Sequence, residues 1–144
     1  MTYDPKYENK LRESGLWPTR QRIKICEVLF NSTETFHFTI KDLVKIIENQ
    51  ANIKVSLATV YNTVHAFNKK GYLKEIPINS SQSYYDTNIS HHHHFFDEDE
   101  NKLIDIDQND VDEVMIKKTI PGKKIKSIEA VSYTHLTLPT MELV

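Results

Sequence analysis

A chain of 144 residues, 39% hydrophobic and 26% charged, has the composition of a globular protein with a modest core, in one ordinary domain or two small ones. Its net charge of −2 divides unevenly, with 12 Lys+Arg against 8 Asp+Glu in residues 1–75 and 6 against 12 in residues 76–144; a basic front and an acidic rear suit a nucleic-acid reader joined to a cation-handling or oligomerising module. No apolar stretch approaches the ~20 residues needed to cross a bilayer, and the polar residues 1–13 carry no signal core, which excludes a membrane partner and points to the cytoplasm.

The first predicted helix covers Thr19–Phe30, where Ile23, Val28, Leu29 and Phe30 recur at roughly helical spacing. Thr19 suits its N-cap, Pro18 marks the boundary, and Trp17 is expected to pack where the chain enters the helix. Cys26 reads as buried packing; as the single cysteine it excludes a disulfide and any cysteine-built structural zinc site. A second helix over Thr39–Asn49 carries the stripe Leu43, Val44, Ile46 and Ile47, with Thr39 as cap and Asp42 three residues on. After the connection 50–55, Ser56 caps a third helix whose apolar positions are Leu57, Val60, Val64 and Phe67, and Gly71 closes it.

Beyond Gly71 the hydrophobic period becomes two. Residues 72–78 read as a strand that Pro77 restricts to a sheet edge, Asn79–Gln82 as a turn, and Ser83–Asp86 as the returning strand. Three helices followed by a hairpin is the winged helix-turn-helix order. Farther on, His94–Asp97 and Leu103–Ile106 read as antiparallel strands joined by the acidic loop Glu98–Lys102, Val111–Ile120 as a helix, and Ile125–Val131 as a strand. So small a rear half, poor in apolar residues, is expected to need a second copy to complete its burial. The expected fold class is α+β: a winged-helix DNA-binding domain over 1–88, a small α/β dimerisation and ligand-sensing domain over 89–131, and an atypical tail over 132–144.

A recognition helix needs short or planar polar groups where it meets the major groove, and Ser56, Thr59, Tyr61 and Asn62 supply them. Thr and Tyr pack against thymine methyls, and Asn pairs with an adenine edge. Arg20, Arg22, Lys69 and Lys70 are placed to meet phosphates or the minor groove. His65, on the same helix, reads as a surface or phosphate-facing residue.

His91–His94 form an unbroken histidine run. On a strand they alternate, so His91 and His93 share one face and His92 and His94 the other, and each face presents an H-x-H pair. Such pairs chelate Fe(II), Mn(II), Zn(II) or Cu(II), or offer axial ligands to haem iron. Asp86 and Asp105 flank the run as carboxylates, and His37 is available from the DNA-binding half. Asp97–Glu100 reads as a solvated acidic turn. A metal-dependent enzyme would need an open coordination site and a general base as well, and the sequence offers no motif for them.

Gly15-Leu16-Trp17-Pro18-Thr19-Arg20-Gln21-Arg22 and Ser56-Leu57-Ala58-Thr59-Val60-Tyr61-Asn62-Thr63 resemble the ferric uptake regulator superfamily. Tyr85-Asp86-Thr87-Asn88-Ile89-Ser90-His91-His92-His93-His94, with Leu103-Ile104-Asp105-Ile106, is most similar to its iron response regulator (Irr) branch. The resemblance covers residues from about 10 to 131. It implies a homodimer of winged-helix domains on AT-rich double-stranded operators, with DNA contacts from Arg22, Ser56, Thr59, Tyr61 and Asn62. It also implies an inter-domain metal site of His37, Asp86, His93 and Asp105, and a haem-responsive element in His92, His93 and His94. The expected function is therefore an iron- or haem-responsive transcriptional regulator, not an enzyme, with a repressor dependent on divalent Fe, Mn or Zn as the alternative.

Several departures qualify the resemblance. Phe95 stands where the usual pattern has a histidine, which leaves that version of the metal site one ligand short. The paired cysteines of the structural zinc site are absent, as the resemblance to the Irr branch implies, and Cys26 is followed by Glu27 rather than proline, so any haem binding rests on histidines. Val131–Thr140 does not continue the family's last strand and basic tail; it resembles translated adapter sequence, and His135 is assigned no function.

Overall fold

The computed structural model describes residues 4–137, and they divide into two compact units that meet between Ile89 and Ser90. The first unit opens with a helix absent from the sequence-based expectation, α1 (Pro5–Glu13). Asp4 caps it by accepting from the Lys6 backbone N–H at 2.9 Å, and Pro5 occupies the first turn, where no backbone donor is needed. Tyr7 and Leu11, one turn apart, are its buried face. The Lys10 ammonium sits 4.0 Å from the Phe30 ring centroid and 4.3 Å from that of Tyr72, and the Tyr72 hydroxyl donates to Glu13 at 2.9 Å. Two apolar anchors in a polar stretch are a faint periodic signal, and these tertiary contacts hold the helix.

The three predicted helices follow as α2 (Arg20–Phe30), α3 (Ile40–Ala51) and α4 (Leu57–Lys70). Thr19 caps α2 through the Arg22 N–H at 3.3 Å. Thr39 and Asp42 form a reciprocal capping box with both bonds at 3.1 Å. Ser56 caps α4 through the Thr59 N–H at 3.0 Å, and Gly71 ends it at φ 86°, a left-handed conformation that costs a glycine little. The buried positions of α4 are Val60, Thr63, Val64 and Phe67, packed with Ile23, Cys26 and Leu29 of α2 and Leu43 and Ile47 of α3 in one core. Leu57, expected in that stripe, is 54% exposed because the core begins one turn later.

Behind the helices lies a three-stranded antiparallel sheet in the order β1 (His37–Phe38), β3 (Ser83–Asp86), β2 (Lys74–Pro77). Pro77 ends an edge strand, as a residue without a backbone N–H must. The two-residue β1 is too short for any period and appears only because β3 offers it an edge. Phe38 and Tyr85 stack across that pairing and carry the sheet into the helical core. Trp17 does not pack as expected: it is 70% exposed, with the Arg12 guanidinium 4.7 Å above its ring.

The second unit is a three-stranded sheet in the order β5 (Lys102–Ile106), β4 (His93–Asp97), β6 (Val131–Thr134). The β4–β5 hairpin forms as predicted. Asp97 Oδ1 accepts the Asp99 and Glu100 N–H groups at 3.0 and 3.2 Å, and Asn101 closes the turn at φ 55°. Two expectations are corrected. Residues 111–120 form no helix, because Val114, Met115, Ile116 and Ile120 are all exposed and find no surface to bury against. The last strand starts at Val131 rather than ending there, and pairs in parallel with β4 through residues that the sequence assigned to the atypical tail. The rest of that tail, from Leu138, lies outside the described residues. Phe96, Leu103 and His94 are the residues of this unit buried as a whole among the described residues, a thin core for a free-standing sheet.

Candidate metal centre and DNA-reading helix

The register of the β4–β5 hairpin builds the centre. With Asp97 paired to Lys102, His94 falls directly opposite Asp105. Directly opposed residues of an antiparallel pair share a face, and alternation adds His92 to it. The His92 and His94 ring centroids are 4.3 Å apart, and Asp105 Oδ1 lies 3.3 Å from His92 Nε2 and 3.1 Å from His94 Nε2. Both imidazole side chains are buried, at 7% and 4% exposure, while Asp105 is half exposed.

Hydrogen bonding fixes the chemistry of one ring. His92 Nδ1 stands 2.8 Å from the Ser90 carbonyl oxygen, which can only accept. Nδ1 therefore donates, and in the neutral ring Nε2 is left as the lone-pair nitrogen. That lone pair faces a carboxylate oxygen, an arrangement that is favourable only with a proton or a metal cation between them. A carbonyl anchoring the far nitrogen is also the usual outer support of a metal-bound histidine. Two imidazoles and one carboxylate, with donor atoms within 4.8 Å of one another, are a borderline set suited to Zn(II), Fe(II) or Mn(II).

His93, placed in the ligand set by the resemblance, stands on the other face. Its Nδ1 accepts the Ala130 N–H at 2.8 Å, so its neutral ring carries the proton on Nε2 and has no lone pair to give. His91 on the same side pairs with Glu129 at 2.8 Å. These two histidines tether the segment leading into β6. Phe95 is 40% exposed on their face, so a histidine at that position would not have faced His92 and His94.

In the first unit, Asp86 is buried at the end of β3, and its Oδ1 accepts the Asn88 N–H at 2.8 Å. The sheet sets it between Lys74 of β2 and His37 of β1, each in direct register. The pairing of His37 with Asp86 joins two predicted ligands that are 49 residues apart in sequence. The His37 ring also meets Tyr84 edge-on at 6.2 Å.

On α4, burial of Val60, Thr63, Val64 and Phe67 turns Ala58, Tyr61, Asn62, His65 and Lys69 outward. Tyr61 is 49% exposed. Ser56 and Thr59 are partly committed to the cap: the Ser56 hydroxyl donates to Thr59 Oγ1 at 2.8 Å. Arg20 is exposed at the start of α2, whereas Arg22 donates from Nη1 to the Trp17 carbonyl at 2.7 Å and so clasps the turn before its own helix. Lys70 is exposed beside Lys69 at the C-terminal end of α4. Cys26 is fully buried, and burial pushes its thiol up to about 12, so it takes no part as a thiolate.

No helix of the described residues is long and apolar enough to cross a membrane. A sequence profile of the ferric uptake regulator family matches residues 13–133. The peroxide operon regulator of Bacillus subtilis (strain 168) is 36% identical over 104 residues, covering 72% of this chain and 70% of that protein. The ferric uptake regulation protein of Cupriavidus metallidurans is 31% identical over 78 residues, covering 54% and 53% respectively. Among solved structures, the Pseudomonas aeruginosa ferric uptake regulator with manganese superposes with a TM-score of 0.64 at 23% identity, covering 92% of this chain and 98% of that one. The Helicobacter pylori regulator, described as having three functional metal binding sites, gives 0.65 at 19% identity, covering 92% and 87%. At those identities the structures establish the α+β fold, and the profile and the B. subtilis relative establish kinship. The protein belongs to the ferric uptake regulator family, whose members are DNA-binding transcription regulators and not enzymes.

Proposed function

We propose that the protein is a homodimeric regulator whose hold on operator DNA is set by a divalent cation, Fe(II), Mn(II) or Zn(II), bound by His92, His94 and Asp105. The observation that carries this reading is the single Asp105 oxygen facing two buried imidazole nitrogens, with the His92 ring locked by Ser90 in the tautomer that binds metal. Asp86 and His37 complete the ligand set in this reading. Asp86 precedes His92 by only six residues, and strand register holds His37 against it. Cation binding would favour one of two states of the dimer, and a dimer must meet two half-sites at once, so occupancy becomes affinity.

Tyr61 and Asn62 read base edges, with Ser56 and Thr59 at the start of the same helix, while Arg20, Arg22 and Lys69 meet the sugar–phosphate backbone. Dimerisation is supported by the exposed pair Phe95 and Ile104, opposite one another on β4 and β5, and by the thin core beneath them. The metals named for manganese-bound and zinc-bound relatives agree with the donor set.

A haem-responsive regulator of the Irr branch is the second reading, favoured by the likeness of residues 85–94 and by a small cavity that His91, His92 and His93 line with Asp112 and Glu113. His92 and His94, side by side at 4.3 Å, suit neighbouring positions on one small cation better than opposite axial positions on a haem iron. The test is affinity at fixed salt for a duplex that the protein itself selects from a randomised pool, titrated separately with Mn(II) and with haem. Tighter binding with Mn(II) supports the cation reading. Indifference to Mn(II) with release by haem refutes it and installs the second.

A further inference from the structure

We propose that His65 is a positioning residue for DNA recognition, holding the Tyr61 ring in the pose that α4 offers to a base edge. This rests on the reading of α4 as the recognition helix. Tyr61 and His65 are one helical turn apart on the same face. Their ring centroids are 5.8 Å apart and their planes only 6° from parallel. The geometry is that of an offset stack, the arrangement aromatic pairs prefer.

The pair stands in solvent, which makes the stack informative. Aromatic rings in a core are parallel or tilted because the surroundings press them so. Here Tyr61 is 49% exposed, His65 is exposed, and among the described residues neither makes a hydrogen bond or ion pair. The buried stripe of Val60, Thr63, Val64 and Phe67 stops the helix from rolling to hide them. An unsupported tyrosine on a helix surface samples more than one rotamer and loses that freedom when an interface forms. A planar neighbour on the C-terminal side restricts the ring before DNA arrives. Asn62 and Lys69 are outward on either side of the pair, so the supported ring lies within the surface that the helix presents. The two hydroxyls at the start of the helix, Ser56 and Thr59, are tied into the cap, which leaves Tyr61 and Asn62 to carry most of the sequence reading.

The experiment compares wild type, His65→Ala, His65→Phe, Lys69→Gln and Tyr61→Ala as full-length proteins. Each is measured on the duplex that wild type selects from a randomised pool and on a shuffled duplex of the same composition. Lost stacking of this kind corresponds to a roughly three- to tenfold fall in discrimination between the duplexes for His65→Ala. His65→Phe keeps a planar ring and should restore discrimination to within about twofold of wild type. The slope of log affinity against log salt should be unchanged in both, whereas Lys69→Gln should lower it by about 0.9, one phosphate contact. The inference fails if His65→Ala discriminates as well as wild type, if His65→Phe is no better than Ala, or if His65→Ala lowers the salt slope as Lys69→Gln does. Full discrimination by Tyr61→Ala overturns the recognition-helix reading and this inference with it; loss in Tyr61→Ala with none in His65→Ala overturns this inference alone.

Discussion

Removing His94 should cost the protein its Mn(II) site, whereas removing His93, its neighbour in the same run, should barely affect it. His94 Nε2 is 3.1 Å from Asp105 and its ring 4.3 Å from that of His92, while His93 looks away and holds the Ala130 N–H. Loss of even an outer support of a metal ligand lowers affinity about 10- to 100-fold. Loss of one of two imidazole donors should reach at least the upper end, about 100-fold or about 2.7 kcal/mol. His93→Ala forfeits one backbone hydrogen bond, worth about 0.5–1.5 kcal/mol of fold stability. Its Mn(II) affinity should stay within roughly threefold of wild type, since no donor leaves the cluster. Calorimetric titration with Mn(II), alongside denaturant unfolding of the same samples, separates the two effects. Because the His94 side chain is only 4% exposed, His94→Gln should accompany His94→Ala so that a packing loss is not mistaken for a lost ligand. Equal loss of Mn(II) affinity in His93→Ala and His94→Gln would refute the assignment of ligands by strand face.

Asn62→Ala, outward on α4, should weaken binding to the selected duplex by about 1–3 kcal/mol without changing the melting temperature, as read by fluorescence anisotropy and thermal unfolding. Leu11→Ala should destabilise the protein by about 2–5 kcal/mol in denaturant, because Leu11 is fully buried under α1; a loss below the size of an exposed-site change would mean that α1 is not docked. Stability should decline at alkaline pH. The unfolded chain releases the Cys26 and Tyr85 protons near their ordinary values of 9.0 and 10.0, while burial holds both in the folded protein until about 12. Stabilisation from keeping these groups neutral is thus complete below about pH 9 and lost as pH rises through 12. Tyr85→Phe should make the decline shallower in pH-dependent unfolding, and an unchanged profile would contradict the burial argument.

Much of the winged-helix half was legible in the sequence because its signals are local. The Thr19 cap, the Thr39–Asp42 capping box, the Ser56 cap and Gly71 bound three helices whose hydrophobic stripes repeat at helical spacing. Helix α1 was missed because two buried residues among charged ones leave little periodic trace. The helix expected over 111–120 was a pattern without a partner surface. In the candidate metal centre, the residue types were evident and the parity was not. One further step would have found it: a four-residue turn after Asp97 pairs it with Lys102, and counting back from there sets His94, not His93, against Asp105.

What the sequence determined by itself, then, was the set of elements and the chemistry available to them: capped amphipathic helices, an outward row of Ser, Thr, Tyr, Asn and His on α4, and a run of imidazoles flanked by carboxylates. Those features depend on neighbours within a turn or two, where propensity and capping act. The tertiary structure decided which of these groups meet. His37 reaches Asp86 across 49 residues only because β1 and β3 pair, and His92, His94 and Asp105 converge only because one hairpin register excludes the other. A shift of a single residue in that register would turn every side chain to the opposite face, so the choice of candidate ligands rests on strand pairing, a long-range contact that the local sequence pattern does not encode.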